Sequence, residues 1–111
     1  MKISEQQQGA VTVIKPEGPL IDKDAGQFKD TADQRVREAM GRVVVDMSGV
    51  AFVDSKGLEA LVDIAEGMNG QGQSLKLCST GKTVREVMEL TEVVSHFEHF
   101  DDVNSAVRSF L

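Results

Sequence analysis

A serine hydroxyl follows a carboxylate at the point where a strongly periodic helical segment is expected to begin. Asp54 and Ser55 precede a run whose apolar residues recur at helical spacing. The apolar positions are Leu58, Leu61, Val62, Ala65 and Met68. As a helix N-cap, Ser55 would accept a hydrogen bond from the backbone N–H of Gly57 or Leu58. As a phosphoacceptor, it would carry a phosphoryl group at the positive end of the helix dipole.

The negative charge of such a phosphoryl group would fall next to an acidic stripe. Glu59, Asp63 and Glu66 repeat on one face of the same predicted helix. A phosphoserine carries about −1.5 to −2 charges at neutral pH. A docked partner would have to desolvate that charge beside the stripe. Phosphorylation of Ser55 would then change the affinity by orders of magnitude without unfolding the domain.

Other residues with reactive side chains have simpler structural explanations. Alternating positions of a short strand account for His96, Glu98 and His99, and we predict no metal site. Cys78 ends an apolar run and is predicted to be a buried thiol. No Gly-x-Ser-x-Gly elbow surrounds Ser55, so a hydrolase site is not expected. We therefore predict that the protein is not an enzyme and uses no cofactor.

The first part of the chain predicts a hairpin followed by a helix. Residues 3–7 and 11–14, with a glycine turn between them, are typical of two antiparallel strands. Prolines and a glycine within residues 16–19 are expected to interrupt the chain. A helix is predicted from Asp24 and is expected to end at Gly41. Its inward stripe comprises Phe28, Ala32, Val36, Ala39 and Met40.

Strands and helices alternate in the rest of the chain. A continuous apolar run of the kind buried in a parallel sheet occupies Val43–Val45, and further strands are predicted at Leu75–Cys78 and Phe97–Phe100. Helices are predicted to begin at Asp54-Ser55, at Thr80 or Gly81, and after the cap Asp101. The alternation predicts an α/β fold over residues 1–111, as one domain. We expect a single-layer mixed, mainly parallel sheet with an N-terminal hairpin and four helices.

Composition and charge argue against several classes of partner. The formal net charge is −6, and there is no Trp or Tyr, so nucleic-acid binding is not expected. No apolar run approaches the ~18 residues of a membrane span, so no membrane insertion is expected. A single cysteine and a polar N-terminus without a signal-peptide core favour a cytoplasmic protein.

The segment around Ser55 resembles a known family signature. From Val43 to Leu58 the sequence is VVVDMSGVAFVDSKGL: an apolar strand, an aspartate, a short loop with an aromatic residue, and Asp-Ser-x-Gly-Leu. Gly18-Pro19-Leu20-Ile21-Asp22 is similar to a Gly-x-Leu-x-Asp region after the first hairpin. These motifs, and the order of elements from about residue 3 to residue 111, resemble the STAS family of anti-sigma-factor antagonist domains.

The resemblance implies a phosphorylation switch. In that family, the serine after the aspartate is phosphorylated by an anti-sigma factor that is also a serine kinase. The unphosphorylated domain binds this partner and releases the sigma factor. Ser55 would thus be the phosphoacceptor, Asp54 would position or recognise it, and Asp22 would lie in a nearby loop of the binding face. Gly57 would either let the partner's backbone approach closely or serve tight packing within the chain.

The expected partners follow from the same resemblance. They are an anti-sigma factor with a histidine-kinase-like ATPase fold and a serine phosphatase. The predicted binding surface comprises Asp22, Asp54, Ser55, Lys56, Gly57 and Glu59. Lys56 departs from the family pattern, which usually has Ser or Thr there. It would pair with a phosphate on Ser55, alter the choice of kinase, or be a solvated lysine in a first helical turn.

Two alternatives to the sigma-factor switch remain open. STAS-like domains also serve as scaffolding or regulatory subunits of stress-signalling and transporter complexes, and Ser55 would then be only a cap. A phosphoaspartate receiver would use Asp46 at the end of its buried strand. However, the acidic pair that a receiver needs after its first strand is replaced by Lys15-Pro16.

Overall fold

A single five-stranded sheet, with strands in the order β1-β2-β3-β4-β5, organises the chain in a computed structural model that describes residues 1–111. The strands are β1 Lys2–Gln8, β2 Val11–Glu17, β3 Val43–Asp46, β4 Leu75–Cys78 and β5 Phe97–Phe100. The first pair is antiparallel, and every later pair is parallel. The predicted mixed, mainly parallel sheet with an N-terminal hairpin is therefore confirmed.

Three α-helices and one short 3₁₀ helix connect strands β2 to β5, and a fourth α-helix follows β5. They are α1 Asp22–Glu38, α2 Ser55–Asn69, α3 Lys82–Leu90, the 3₁₀ helix Val94–His96, and α4 Val103–Arg108. Residues of α1, α2 and α3 share one hydrophobic cluster of 19 buried residues with the strands. None of these helices is both long and apolar enough to cross a membrane.

The central strands are apolar at successive positions because both faces of the sheet are covered. Val43 and Val45 of β3 belong to the 19-residue cluster. Val44 points to the opposite face and belongs to a second cluster of five buried residues, to which α4 contributes Ala106. Successive side chains of a strand point to opposite faces, so a continuous valine run fits a strand buried on both sides.

A buried lysine sits within the second face. Lys76 of β4 is only 8% exposed. Its Nζ lies 3.3 Å from Glu98 Oε2 and 4.4 Å from the centroid of the Phe110 ring. The ion pair and the aromatic face compensate the charge, which is how a lysine is accommodated in an otherwise apolar strand.

Several predicted boundaries were wrong. Helix α1 begins at Asp22 rather than Asp24, and β2 continues through Pro16. Pro16 is tolerated there because the pairing of β2 with β3 ends at Ile14, so no ladder bond to β3 is lost. The final helix is capped by Asp102, whose carboxylate accepts a hydrogen bond from Ser105 N at 2.7 Å, and not by Asp101.

Met40 is the clearest error in the predicted core. It follows the end of α1, adopts a left-handed φ of 53°, and is 73% exposed. The chain turns there into Gly41, whose N–H donates to the Val36 carbonyl at 2.9 Å. Helical spacing extrapolated beyond the last turn placed Met40 on a stripe that the backbone has already left.

The Cys78 thiol should be unreactive in the folded protein. It is fully buried, and its burial raises the pKa to about 11, so little thiolate forms near neutral pH. When a disulfide reagent that labels free thiols is added at about pH 8, we expect Cys78 to be labelled no faster than the protein unfolds. The protein denatured in urea is the control and should react at once; rapid complete labelling of the folded protein would contradict the assignment.

Candidate functional site

Two segments that precede helices α1 and α2 are bound to each other at one edge of the sheet. Leu20 N donates to the Phe52 carbonyl at 3.0 Å, and Asp54 N donates to the Leu20 carbonyl at 3.3 Å. Leu20 and Val53 also form an isolated parallel bridge. These backbone contacts place the first residues of α1 and α2 side by side.

Asp54 caps α2 and also contacts the start of α1. Its Oδ1 accepts a hydrogen bond from Gly57 N at 2.8 Å, and its Oδ2 accepts one from Asp22 N at 3.0 Å. Asp54 therefore takes the N-cap role that the sequence analysis left open for Ser55. The carboxylate has two oxygens and serves both helices, which a serine hydroxyl could not do in this arrangement.

Ser55 is the first residue of α2, and its side chain is exposed. Its hydroxyl makes no hydrogen bond within the chain, since Asp54 already satisfies Gly57 N. The backbone N–H groups of Ser55 and Lys56 also have no acceptor in the chain, because the first bonded amides of the helix are those of Gly57 and Leu58. A group attached to Ser55 Oγ would thus meet free donors and open solvent.

Gly57 is required by packing inside the chain. It is buried, and a Cβ atom at this position would lie 2.0 Å from the Leu20 carbonyl oxygen. The close backbone approach expected at this glycine is therefore made by the protein's own Leu20. Gly57 is buried, so the packing alternative predicted for this glycine accounts for its position, and its contact with a partner stays a prediction.

Charged side chains surround the start of α2 on the side that faces α1. A shallow groove of about 170 Å³ between the two helices is lined by Asp22, Lys29, Lys56, Glu59 and Asp63, among others. Lys29 pairs with Asp33 at 2.8 Å. Asp22, Lys56 and Glu59 are exposed and take part in no ion pair. The structure thus brings together five of the six predicted site residues: the exposed Asp22, Ser55, Lys56 and Glu59, and the half-buried Asp54.

An exposed aromatic residue adjoins this surface and was missed as a candidate contact. Phe52 is 46% exposed, although its carbonyl is held by Leu20 N. Exposed aromatic side chains on ordered backbone are frequent anchors of protein interfaces. Its signal in the sequence is that Phe52 is the single aromatic residue of the loop before Asp54.

The other candidate residues take part in local contacts away from Ser55. Asp46 Oδ1 accepts a hydrogen bond from Ser48 N at 3.0 Å, which organises the loop after β3. His99 Nε2 lies 2.7 Å from the Val94 carbonyl, and its burial lowers the pKa of the ring. These contacts hold both side chains locally, and the Nδ1 of His99 is buried without a hydrogen-bond partner.

Comparison with known proteins places the fold in a defined family. The family model of the STAS domain matches residues 2–106, and the chain belongs to this family. TM1081 of Thermotoga maritima, described as an anti-sigma factor antagonist, superposes with a TM-score of 0.87 at 20% identity, over 96% of this chain and 92% of that one. The anti-sigma factor antagonist SpoIIAA in its unphosphorylated form gives 0.73 at 14% identity, over 98% and 96%.

The same fold also occurs within a transporter. Murine solute carrier 26 family member A9, an anion transporter, matches with a TM-score of 0.76 at 20% identity. The match covers 95% of this chain and 18% of the transporter. The architecture is therefore shared by proteins of different function, and the chemistry of the exposed surface must distinguish them.

Replacing Asp54 should destabilise the protein, whereas replacing Ser55 should not. Asp54→Ala removes a helix cap and the contact with Asp22 N, and we expect a loss of about 2 kcal/mol in the free energy of unfolding. Ser55→Ala should change it by less than about 0.5 kcal/mol, because the hydroxyl has no partner. Urea unfolding measures both variants; equal losses would mean that Ser55 has a capping role after all.

The two α2 glycines should respond to alanine in opposite ways. Gly57→Ala forces a methyl group against the Leu20 carbonyl and should cost more than about 2 kcal/mol of stability. Gly67→Ala is the matched control on the same helix, where a Cβ atom would meet nothing within 4 Å. It should stabilise the protein by about 0.5 to 1 kcal/mol through helix propensity. Thermal unfolding of both variants tests the assignment, and an unaffected Gly57→Ala protein would refute it.

Proposed function

We propose that the protein is an anti-sigma-factor antagonist that is switched by phosphorylation of Ser55. The observation that carries the proposal is the exposed hydroxyl of Ser55, which has no structural role because Asp54 caps the helix. In its unphosphorylated form the domain binds an anti-sigma factor and frees a sigma factor. Phosphorylation ends that binding, and the sigma factor is sequestered again.

The domain can carry a phosphoryl group without refolding. The unbonded N–H groups of Ser55 and Lys56 and the positive end of the α2 dipole favour an anion at this position. The hydroxyl also lies outside the core, so its modification breaks no internal contact. The effect of phosphorylation therefore falls on whatever docks at the surface.

A docked partner would meet a cluster of like charges after phosphorylation. Asp54 precedes Ser55 and accepts a hydrogen bond from Asp22 N, Glu59 lies one turn further along α2, and the new group adds about −1.5 to −2 charges. Burying these charges together under a protein surface carries a large desolvation cost. Phe52 would supply the apolar anchor of the same interface, and Gly57 supports it from inside.

The partner chemistry follows from this switch. The anti-sigma factor is a serine kinase with a histidine-kinase-like ATPase fold, which transfers the γ-phosphoryl group of ATP to Ser55 Oγ. The hydroxyl proton passes to a base of the kinase, and ADP leaves. A serine phosphatase restores the hydroxyl by hydrolysis. All of these proteins meet in the cytoplasm, and the antagonist itself performs no turnover.

The switch predicts a specific modification and a specific loss of binding. Purified ATPase-type anti-sigma factors from the same genome would be incubated with the protein and ATP, and phosphate located by mass spectrometry. We expect one phosphate on Ser55 and none on Ser55→Ala. Ser55→Asp should bind the anti-sigma factor at least about tenfold more weakly than Ser55→Ala.

Ser95 provides the control for the added charge. It is an exposed serine in the 3₁₀ helix before β5, whereas Ser55 begins α2. Ser95→Asp should bind as the unchanged protein does. Absence of phosphate on Ser55, together with equal binding by Ser55→Ala and Ser55→Asp, would defeat the proposal.

A scaffolding role is the second candidate, supported by the likeness of this fold to part of an anion transporter. The domain would then act as a regulatory subunit of a transporter or stress-signalling complex, with no sigma factor involved. Affinity capture from the native organism under mild conditions distinguishes the two. Recovery of transporter subunits without any anti-sigma factor would favour the scaffold.

A further inference from the structure

Lys56 carries an unpaired positive charge beside the proposed phosphoacceptor. It is the second residue of α2 and is exposed, and none of the ion pairs of the protein includes it. A cation in the first turn of a helix is disfavoured by the helix dipole. The fold itself therefore gives no reason for a lysine at this position.

The groove beside Lys56 is acidic. Of the charged residues that line it with Lys56, three are the carboxylates Asp22, Glu59 and Asp63. The other lysine, Lys29, is engaged by Asp33 at 2.8 Å. Lys56 is thus the cation of this groove that remains available to a new anion.

The nearest carboxylate along the chain does not compete effectively for Lys56. Both oxygens of Asp54 already accept backbone hydrogen bonds, from Gly57 N and from Asp22 N. A phosphoryl group on Ser55 would offer three acceptor oxygens and nearly two negative charges on the adjacent residue. The flexible four-carbon stem of a lysine lets its ammonium reach such a group.

We propose that Lys56 is the counter-ion of a phosphoryl group on Ser55 and that it shifts part of the added negative charge from the phosphoserine to the groove. This inference rests on the proposed phosphorylation of Ser55. With the ammonium in contact, the phosphate is partly neutralised locally, while the groove that the ammonium leaves keeps the carboxylates of Asp22, Glu59 and Asp63. The total charge added by phosphorylation stays the same, but its position on the surface that a partner meets depends on Lys56.

Phosphorus NMR on the phosphorylated protein tests the pairing without any kinase. Phosphoserine is installed at position 55 by genetic encoding, and the second pKa of its phosphate is followed by ³¹P chemical shift. A nearby cation favours the dianion, so Lys56 should hold that pKa down. In Lys56→Gln we expect the pKa to rise by about half a unit at low salt, and the difference to shrink at ~1 M salt.

Two other variants make the outcome decisive. Arg37→Gln removes an exposed cation near the far end of α1 and should leave the phosphate titration unchanged. Lys23→Gln removes the lysine at the second position of α1, and it should also leave the phosphate titration unchanged. Superimposable curves for the wild-type and Lys56→Gln proteins would overturn the proposal, and so would a shift seen in Lys23→Gln alone.

The failure of this inference and the failure of the proposed function can be told apart. If no kinase modifies Ser55, the sigma-factor switch fails, yet the encoded phosphoserine still reports whether Lys56 pairs with it. If Ser55 is phosphorylated by the anti-sigma factor but its phosphate titrates independently of Lys56, only the counter-ion assignment is lost. Circular dichroism of unmodified Lys56→Gln should match the wild type, since the side chain is exposed.

Discussion

The carboxylate of Asp54 joins the two helices on which the candidate site is built. One oxygen holds the first turn of α2 and the other holds the first residue of α1, so the two helix starts cannot move independently. The Leu20 carbonyl completes this arrangement by accepting Asp54 N and by lying against Gly57. Because the backbone and the Asp54 carboxylate make these contacts, the hydroxyl of Ser55 has no structural role. The exposed Oγ of Ser55, on an ordered backbone and without a hydrogen-bond partner, is suited to a reversible modification.

The sequence predicts the α-helices and strands of the fold, but it does not predict where several of them begin and end. Apolar residues identified β3 and β4, because strands covered on both faces are largely apolar, and Lys76 is the charged exception in β4. Helix ends depend on local backbone geometry, and there the prediction placed Met40 in the core although its left-handed φ turns it outward. The 3₁₀ helix after α3 has no periodic signal, since three residues are too few to show one.

The candidate site was predictable in its location but not in its division of roles. The motif placed Ser55 at a helix start, and the resemblance supplied the neighbouring residues. Which of two adjacent polar residues caps the helix depends on the direction of each side chain, which spacing does not encode. The same holds for Gly57, where a close contact was expected but its partner, Leu20, comes from a segment 37 positions earlier in the chain. Long-range contacts of this kind need coordinates.

The unequal covering of the two faces of the sheet has a consequence for the motions of the protein. One face is buried by three helices in a cluster of 19 residues, whereas a helix of six residues and a cluster of five cover the other. Detaching α4 exposes less apolar area than separating α1 and α2 from the sheet, so we expect local opening to begin at α4. Ser55 lies in α2, on the opposite face of the sheet from α4. Local opening at α4 would therefore leave the contacts between Asp54 and the starts of α1 and α2 unchanged.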